Sequence, residues 1–154
     1  MSRVKYVTYS HCAGDKALPA ALQREIVAAI AAIIAKPTRG AAKKFRVEFL
    51  DSLKSAGWSS EVTVAKGSDM TITSIKGSVG LCLQTGNMAR MYADLMKLQT
   101  LYLDNAIKVA AIVVPSNPIA KLIGSNVAEA KRLERELQIF KKAYHVPTVV
   151  FGLE

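Results

Sequence analysis

The side chains best suited to chemistry lie between residues 79 and 98, where a predicted strand is followed by a predicted helix. Small or polar residues alternate with apolar ones as far as Gln84, so Cys82 and Gln84 should project from the same strand face. Beyond a turn at residues 85–87, apolar residues recur at helical spacing. This helix carries one charged stripe, formed by Arg90, Asp94 and Lys97. Such a junction suits an active site, and it equally suits a structural strand–turn–helix connection.

The same residues resemble the BglII-type branch of the PD-(D/E)XK restriction endonucleases. In that branch a strand ending in Glu-x-Gln precedes a Gly/Asn turn and a helix with an aromatic-x-Asp-x-x-Lys pattern. Here residues 82–84 read Cys-Leu-Gln, residues 86–87 read Gly-Asn, and residues 92–97 read Tyr-Ala-Asp-Leu-Met-Lys. The later apolar run 107–115, which ends in Val-Val-Pro, is also similar to the family. The resemblance covers roughly residues 45–153.

This resemblance implies a Mg²⁺-dependent nuclease whose metal is held by an Asp and by the Glu of Glu-x-Gln. Asp69 would be the upstream metal ligand, and Gln84 would orient the attacking water. Cys82 stands where the Glu is expected, and a thiol is a soft ligand that suits Mg²⁺ poorly. We therefore expect a degenerate site that is inactive or strongly altered, unless another acid, such as Glu48 or Glu61, completes it.

Two residues of the motif have alternative interpretations. Lys97 could contact a DNA phosphate, or it could pair with Asp94 one helical turn earlier. Cys82 could be a remnant of the metal site, or it could be a small buried hydrophobic residue. Four further side chains are predicted to contact nucleic acid: Lys43, Lys44, Asn87 and Arg90.

Composition indicates one globular domain with a basic surface. The chain has 154 residues, of which 51% are hydrophobic, and 21 Lys and Arg against 12 Asp and Glu give a net charge of +9. This excess favours a polyanionic partner such as duplex DNA, although a basic protein with no such partner would have the same composition. Basic residues cluster at 36–46 and 131–142.

Cysteine usage and hydropathy favour a cytoplasmic protein that does not span a membrane. Cys12 and Cys82 lie far apart without CxxC spacing, which favours neither a zinc site nor a disulfide framework. His11 beside Cys12 could suggest a nucleophile, but adjacency alone is weak support for one. The apolar run 26–35 is too short for a transmembrane helix, and charges such as Arg3 interrupt the N-terminal region, so we expect no signal peptide.

The order of predicted elements is the order of a restriction-endonuclease-like core. Asn126, with Glu129 three residues later, predicts a capping box at the start of the last helix. The predicted helices are 18–35, 41–56, 88–104 and this last one, and the predicted strands are 61–65, 70–75, 79–84, 107–114 and 146–151. We predict an α/β fold in which helices flank a mixed sheet of about five strands. Residues 1–154 should form one domain, with N-terminal helices in 18–56 and the core in 60–153.

Three functions are compatible with these patterns. The chain could be a Mg²⁺-dependent DNA endonuclease, a catalytically silent DNA-binding protein, or a dimeric interaction protein that pairs through helices 18–35 and 88–104. Cys82 favours the second and third, whereas the charge favours the first and second. We also expect a homodimer, as the resemblance implies and as the methionines of helix 88–104 suggest. The same methionines could instead face a second layer of their own domain.

Overall fold

The structure is a computed structural model that describes residues 4–154, so residues 1–3 of the predicted domain, including Arg3, lie outside it. The chain contains both helices and strands, as the sequence predicts for an α/β fold. The strands are β1 (Tyr6–His11), β2 (Val62–Thr63), β3 (Thr71–Ile72), β4 (Ser74–Lys76), β5 (Val79–Leu83), β6 (Val109–Pro115) and β7 (Thr148–Leu153). The helices are α1 (Gly14–Ala17), α2 (Ala20–Ala31), α3 (Ala42–Ser55), α4 (Met88–Leu103), α5 (Asn117–Ile123) and α6 (Ala130–Ile139).

The main sheet is mixed and has five strands in the order β1-β7-β6-β5-β4, which confirms the predicted fold class. β5, β6 and β7 run parallel, and β1 and β4 are antiparallel strands at the two edges. Every residue of the three parallel strands is buried. This burial explains their nearly continuous runs of Val, Ile, Leu and Ala, since both faces of the sheet are covered.

The two faces of β5 contribute to different hydrophobic clusters, as its alternating sequence predicts. Leu81 belongs to a cluster that includes Ile30 and Phe49 from α2 and α3. Cys82 belongs to the opposite cluster, together with Met91 of α4. β5 therefore separates a core under α2 and α3 from a core under α4 and α6.

The methionines of α4 divide between the core and the surface. Met88 and Met91 are buried within the chain's own core, whereas Met96 is 73% exposed. The first two methionines therefore face a second layer of the same domain. Of these three methionines, only Met96 offers the exposed apolar surface that the dimer prediction requires.

The predicted strand 70–75 is wrong, because the chain bends at Thr73 and forms two short strands. β3 pairs with β2 in a separate two-stranded sheet, and β4 pairs with β5 in the main sheet. Between them, the Thr73 hydroxyl accepts the Leu83 N–H at 3.0 Å. This side chain replaces a backbone ladder bond, which lets the chain leave one sheet and join the other.

The predicted ends of two helices are also corrected. α6 begins after Glu129, whose carboxylate accepts the Lys131 and Arg132 N–H groups, while Asn126 lies in a left-handed conformation with φ of 54°. α2 ends at Ala31, and the Glu48 carboxylate accepts the Ala35 N–H at 3.0 Å. A different local residue, Glu129, therefore caps α6, whereas a contact 13 residues away in the sequence engages the chain beyond α2.

No helix within the described part of the chain combines the length and apolar character needed to cross a membrane.

Candidate functional site

A cavity of about 460 Å³ lies at the carboxyl end of β5, between α3, α4 and the β2–β3 hairpin. We call it the β5 cavity. The α3 and α4 helices supply its basic side chains, because residues three or seven positions apart on a helix share a face. Its charged lining residues are Lys43, Arg46, Glu61, Arg90, Asp94 and Lys97. The predicted stripe of Arg90, Asp94 and Lys97 is therefore confirmed.

Gln84, the first residue after β5, joins the strand to α4. Its Nε2 donates to Asp94 Oδ2 at 2.6 Å, and its Oε1 accepts the Gly86 N–H at 2.8 Å. A Cβ at position 86 would lie 2.8 Å from Gln84 Oε1 and 3.0 Å from Arg90 Cδ, so a larger residue here would displace the Gln84 amide from its present contacts. Both polar ends of the Gln84 amide are therefore occupied within the protein.

Asp94 is a buried carboxylate surrounded by groups that favour its charge. It is 8% exposed, and burial raises its pKa above the ordinary value. The hydrogen bond from Gln84 and the nearby cations Lys97 and Arg46 oppose this rise. Lys97 Nζ lies 3.7 Å from Asp94 Oδ1, which is the helix-face pair anticipated from the sequence.

Cys82 lies in the apolar core and does not line the cavity. It is 1% exposed, and burial, followed by the proximity of Asp94, raises the pKa of its thiol well above the ordinary range. The thiol is therefore protonated at neutral pH. Of the two interpretations of Cys82, the small buried hydrophobic residue agrees with this environment.

The structure separates the remaining predicted site residues. Lys43 and Arg90 line the β5 cavity, while Lys44 lines a neighbouring hollow beside the loop that precedes α3. Asn87 caps α4, because its Oδ1 accepts the Arg90 N–H at 3.0 Å. Asp69 is exposed in the turn between β2 and β3 and does not line the cavity.

Glu48 and Glu61, the two acids that could have completed a metal site, are engaged in other contacts. Glu48 caps the chain at Ala35 through its carboxylate. Glu61 lines the cavity, where its Oε1 lies 3.6 Å from Arg46 Nη2. Neither Glu48 nor Glu61 therefore forms, together with Asp94, a pair of carboxylates that could bind a metal ion.

Sequence reasoning missed two residues of the site, Arg46 and Thr73. Arg46 follows Lys43 by three residues on α3, so helical spacing could have placed both side chains on the same face. Thr73 lines the cavity at the bend between β3 and β4, for which the alternating sequence gave no signal.

Mg²⁺, which the resemblance implies, does not fit the side chains of the β5 cavity. Mg²⁺ requires several hard oxygen ligands, usually including carboxylates. Asp94 contributes one carboxylate that is bonded to Gln84 and lies beside Lys97, while the other acid, Glu61, pairs with Arg46. Residues 4–154 contain no cluster of three or more His, Cys, Asp or Glu side chains placed to hold a metal ion. The chemistry of the cavity suits an anion better than a divalent cation.

Comparison with known proteins identifies related sequences and folds. The family described as restriction endonuclease BglII/BglIII matches residues 6–153. The crystal structure of restriction endonuclease BglII complexed with a DNA 16-mer has a TM-score of 0.80 and 16% identity, over 97% of this chain and 76% of that one. Free BglII has a TM-score of 0.72 and 16% identity, over 97% and 79% of the two chains. None of the curated proteins gives a significant match.

Asp94→Asn should change how stability depends on pH. Because the pKa of Asp94 is raised in the folded protein, the folded state binds a proton that the unfolded state has lost. The stability that this bound proton contributes is therefore present at low pH. It is lost as the pH rises from the ordinary aspartate pKa to the raised pKa of Asp94. The unfolding free energy of Asp94→Asn, relative to wild type, should increase across this range in urea titrations.

Lys97→Gln provides the matched comparison, because removing this cation should raise the Asp94 pKa further and steepen the loss of stability with pH. A difference between Asp94→Asn and wild type that shrinks with rising pH would contradict the assignment.

Proposed function

This chain belongs to the restriction endonuclease BglII/BglIII family, and we propose that it binds duplex DNA without cleaving it. One observation carries the second half of this proposal. At the position where the motif calls for a metal-binding Glu, Cys82 is a buried, protonated thiol in an apolar cluster. The nearby Asp94 already accepts a hydrogen bond from Gln84 and lies beside Lys97.

DNA binding is supported by the charge of the chain and by the lining of the β5 cavity. The net charge is +9, and four cationic side chains converge on the cavity from α3 and α4. Lys and Arg neutralise backbone phosphates and release counterions from DNA, which supplies most of the non-specific affinity. A solved relative, BglII, was crystallised with a DNA 16-mer.

Each predicted contact has a distinct role in this proposal. Lys43, Arg90 and Lys97 contact phosphates from the cavity wall, and Arg46 joins them. Lys44 and Asn87 are exposed at the periphery and contact the neighbouring backbone. We assign Gln84 the role of joining β5 to α4, because its amide bonds to Asp94 and Gly86. Two free cysteines are consistent with the reducing cytoplasm, where we place the protein.

The chain should bind duplex DNA whose two ends are closed by hairpins, so that the duplex has no free strand end. The affinity of the chain for this duplex should fall as the salt concentration is raised. Counterion release predicts a linear fall of log K with log salt, with a slope that reflects several phosphate contacts. Arg90→Gln should weaken binding and reduce the magnitude of the slope by about 1. Mobility-shift titrations at several salt concentrations measure both quantities.

Lys108→Gln is the matched control, because Lys108 is exposed before β6, at the end of the sheet opposite the cavity. It removes the same charge and should change the salt slope less than Arg90→Gln. The absence of binding at about 50 mM salt would reject DNA binding.

The wild type should show no Mg²⁺-dependent cleavage, and Cys82→Glu should gain Mg²⁺ affinity. A Glu at this position adds a hard carboxylate close enough to Asp94 for the two charges to interact. Its size and charge in a closed core should cost about 1–3 kcal/mol of stability, part of which Mg²⁺ should restore. Thermal denaturation with and without Mg²⁺, calorimetric titration and plasmid nicking measure these effects.

Cys82→Gln tests the same position with similar size and no charge. It should lose stability without responding to Mg²⁺. Cleavage by the wild type would refute the silent site, and a Cys82→Glu protein that is destabilised but indifferent to Mg²⁺ would refute the placement of residue 82 at a former metal site.

We further propose that the chain pairs with a second copy through the exposed surface of α4. An apolar groove of about 430 Å³ runs between α4 and residues 140–144, beside exposed Met96 and Phe140. Light scattering at micromolar concentration should give twice the chain mass of 16.6 kDa. Met96→Glu should yield the monomer mass, because it buries a charge in the interface.

Met70→Glu is the control for that experiment, since Met70 is 60% exposed on the β2–β3 loop, outside the groove. It should leave the dimer intact. A wild type that remains monomeric throughout the micromolar range would disprove the pairing.

A further inference from the structure

We propose that the β5 cavity binds a terminal phosphate of a DNA strand, a phosphomonoester, without a metal ion. This inference rests on the proposed DNA binding and names the chemical group that the cavity accepts. A site for this group would distinguish the phosphorylated end of a strand from the phosphodiesters inside a duplex.

The charge of the cavity suits a phosphomonoester. Its lining contains four cations and two acids, which leaves an excess of two positive charges. A phosphomonoester carries about −1.5 to −2 at neutral pH, whereas a diester within a strand carries a single negative charge. The monoester therefore balances the excess more completely than one internal phosphate does.

The two acids do not prevent an anion from entering. Glu61 lies 3.6 Å from the Arg46 guanidinium, and Asp94 is bonded to Gln84 and lies beside Lys97. The side chains of Lys97 and Arg46 are only 23% and 37% exposed. Cations that have lost part of their hydration bind an anion more strongly than fully solvated ones do.

The floor of the cavity also offers a buried hydrogen-bond donor. Thr73 is 6% exposed and lines the cavity. Its oxygen accepts the Leu83 N–H at 3.0 Å, which leaves its own O–H free to donate to a ligand. A neutral donor among cations is a common feature of sites that recognise the oxygens of a phosphate group.

The shape of the site favours a strand end over the interior of a duplex. A cavity of about 460 Å³ falls in the range of about 300–1,000 Å³ typical of sites for small molecules. An internal phosphate carries a nucleotide on each side and stays at the convex surface of the duplex. A terminal phosphate is attached on one side only and can enter the cavity with three free oxygens.

The test compares blunt duplexes of one sequence that carry 5′-phosphate, 3′-phosphate or only hydroxyl ends, together with the hairpin-closed duplex. Fluorescence anisotropy with EDTA present measures their affinities. One phosphorylated form should bind about tenfold more tightly than the hydroxyl form, the ratio produced by one charge-assisted contact. The two phosphorylated arms identify which strand end enters.

Variants locate the effect within the cavity. Arg46→Gln and Lys97→Gln should each remove most of the preference for a phosphorylated end, while Lys108→Gln, at the opposite end of the sheet, should retain it. Because these variants could also alter folding, competition on the wild type gives a second measurement. The deoxyadenosine monophosphate that carries its phosphate at the preferred 5′ or 3′ position should displace the phosphorylated duplex more effectively than deoxyadenosine does.

The outcomes separate this inference from the proposed function. Equal affinity for phosphorylated, hydroxyl and closed duplexes would overturn the terminal-phosphate site and leave general DNA binding intact. Binding of a phosphorylated duplex alone would support the site and overturn general binding. Failure of every duplex to bind would overturn both.

Discussion

A sheet that is covered on both faces can present polar groups only where its strands end, and the candidate site follows from this constraint. All residues of β5, β6 and β7 are buried, so Gln84 is the first residue beyond β5 with access to solvent. A half-buried amide must satisfy both its donor and its acceptor. Gln84 does so through Asp94 and Gly86, which holds the first turns of α4 against the end of β5. The position of the α4 cations follows from that attachment.

The features that could be predicted from the sequence are those set by the local spacing of residues. The faces of β5 and the charged stripe of α4 were predicted because periods of two and 3.6 residues are local properties of the chain. The bend at Thr73 was not, because it depends on a bond to Leu83 that local propensity does not encode. Arg46 was missed as a site residue for a similar reason, since only the packing of α3 against the sheet brings it close to Asp94. Tertiary contacts decided these features.

The residue at position 82 sets the charge that its surroundings must balance. A carboxylate there would place two buried negative charges side by side, and such a pair requires a strong cation between them. With a protonated thiol, a single buried carboxylate remains, and Gln84 and Lys97 offset part of the cost of burying its charge. The excess positive charge of the β5 cavity is available to an external anion.

The strand order also has a consequence for folding during synthesis. β1 forms its ladder with β7, the last strand among residues 4–154, and Lys5 and Glu154 exchange backbone hydrogen bonds beyond it. β1 must therefore wait, unpaired, until residues 148–153 have been synthesised. Closing so long a loop costs more entropy than a local hairpin, and sheets that depend on distant pairing form slowly. The unpaired β1 segment is then the part of the nascent chain most exposed to pairing with another chain, and a chaperone that shields it during that interval should favour correct folding.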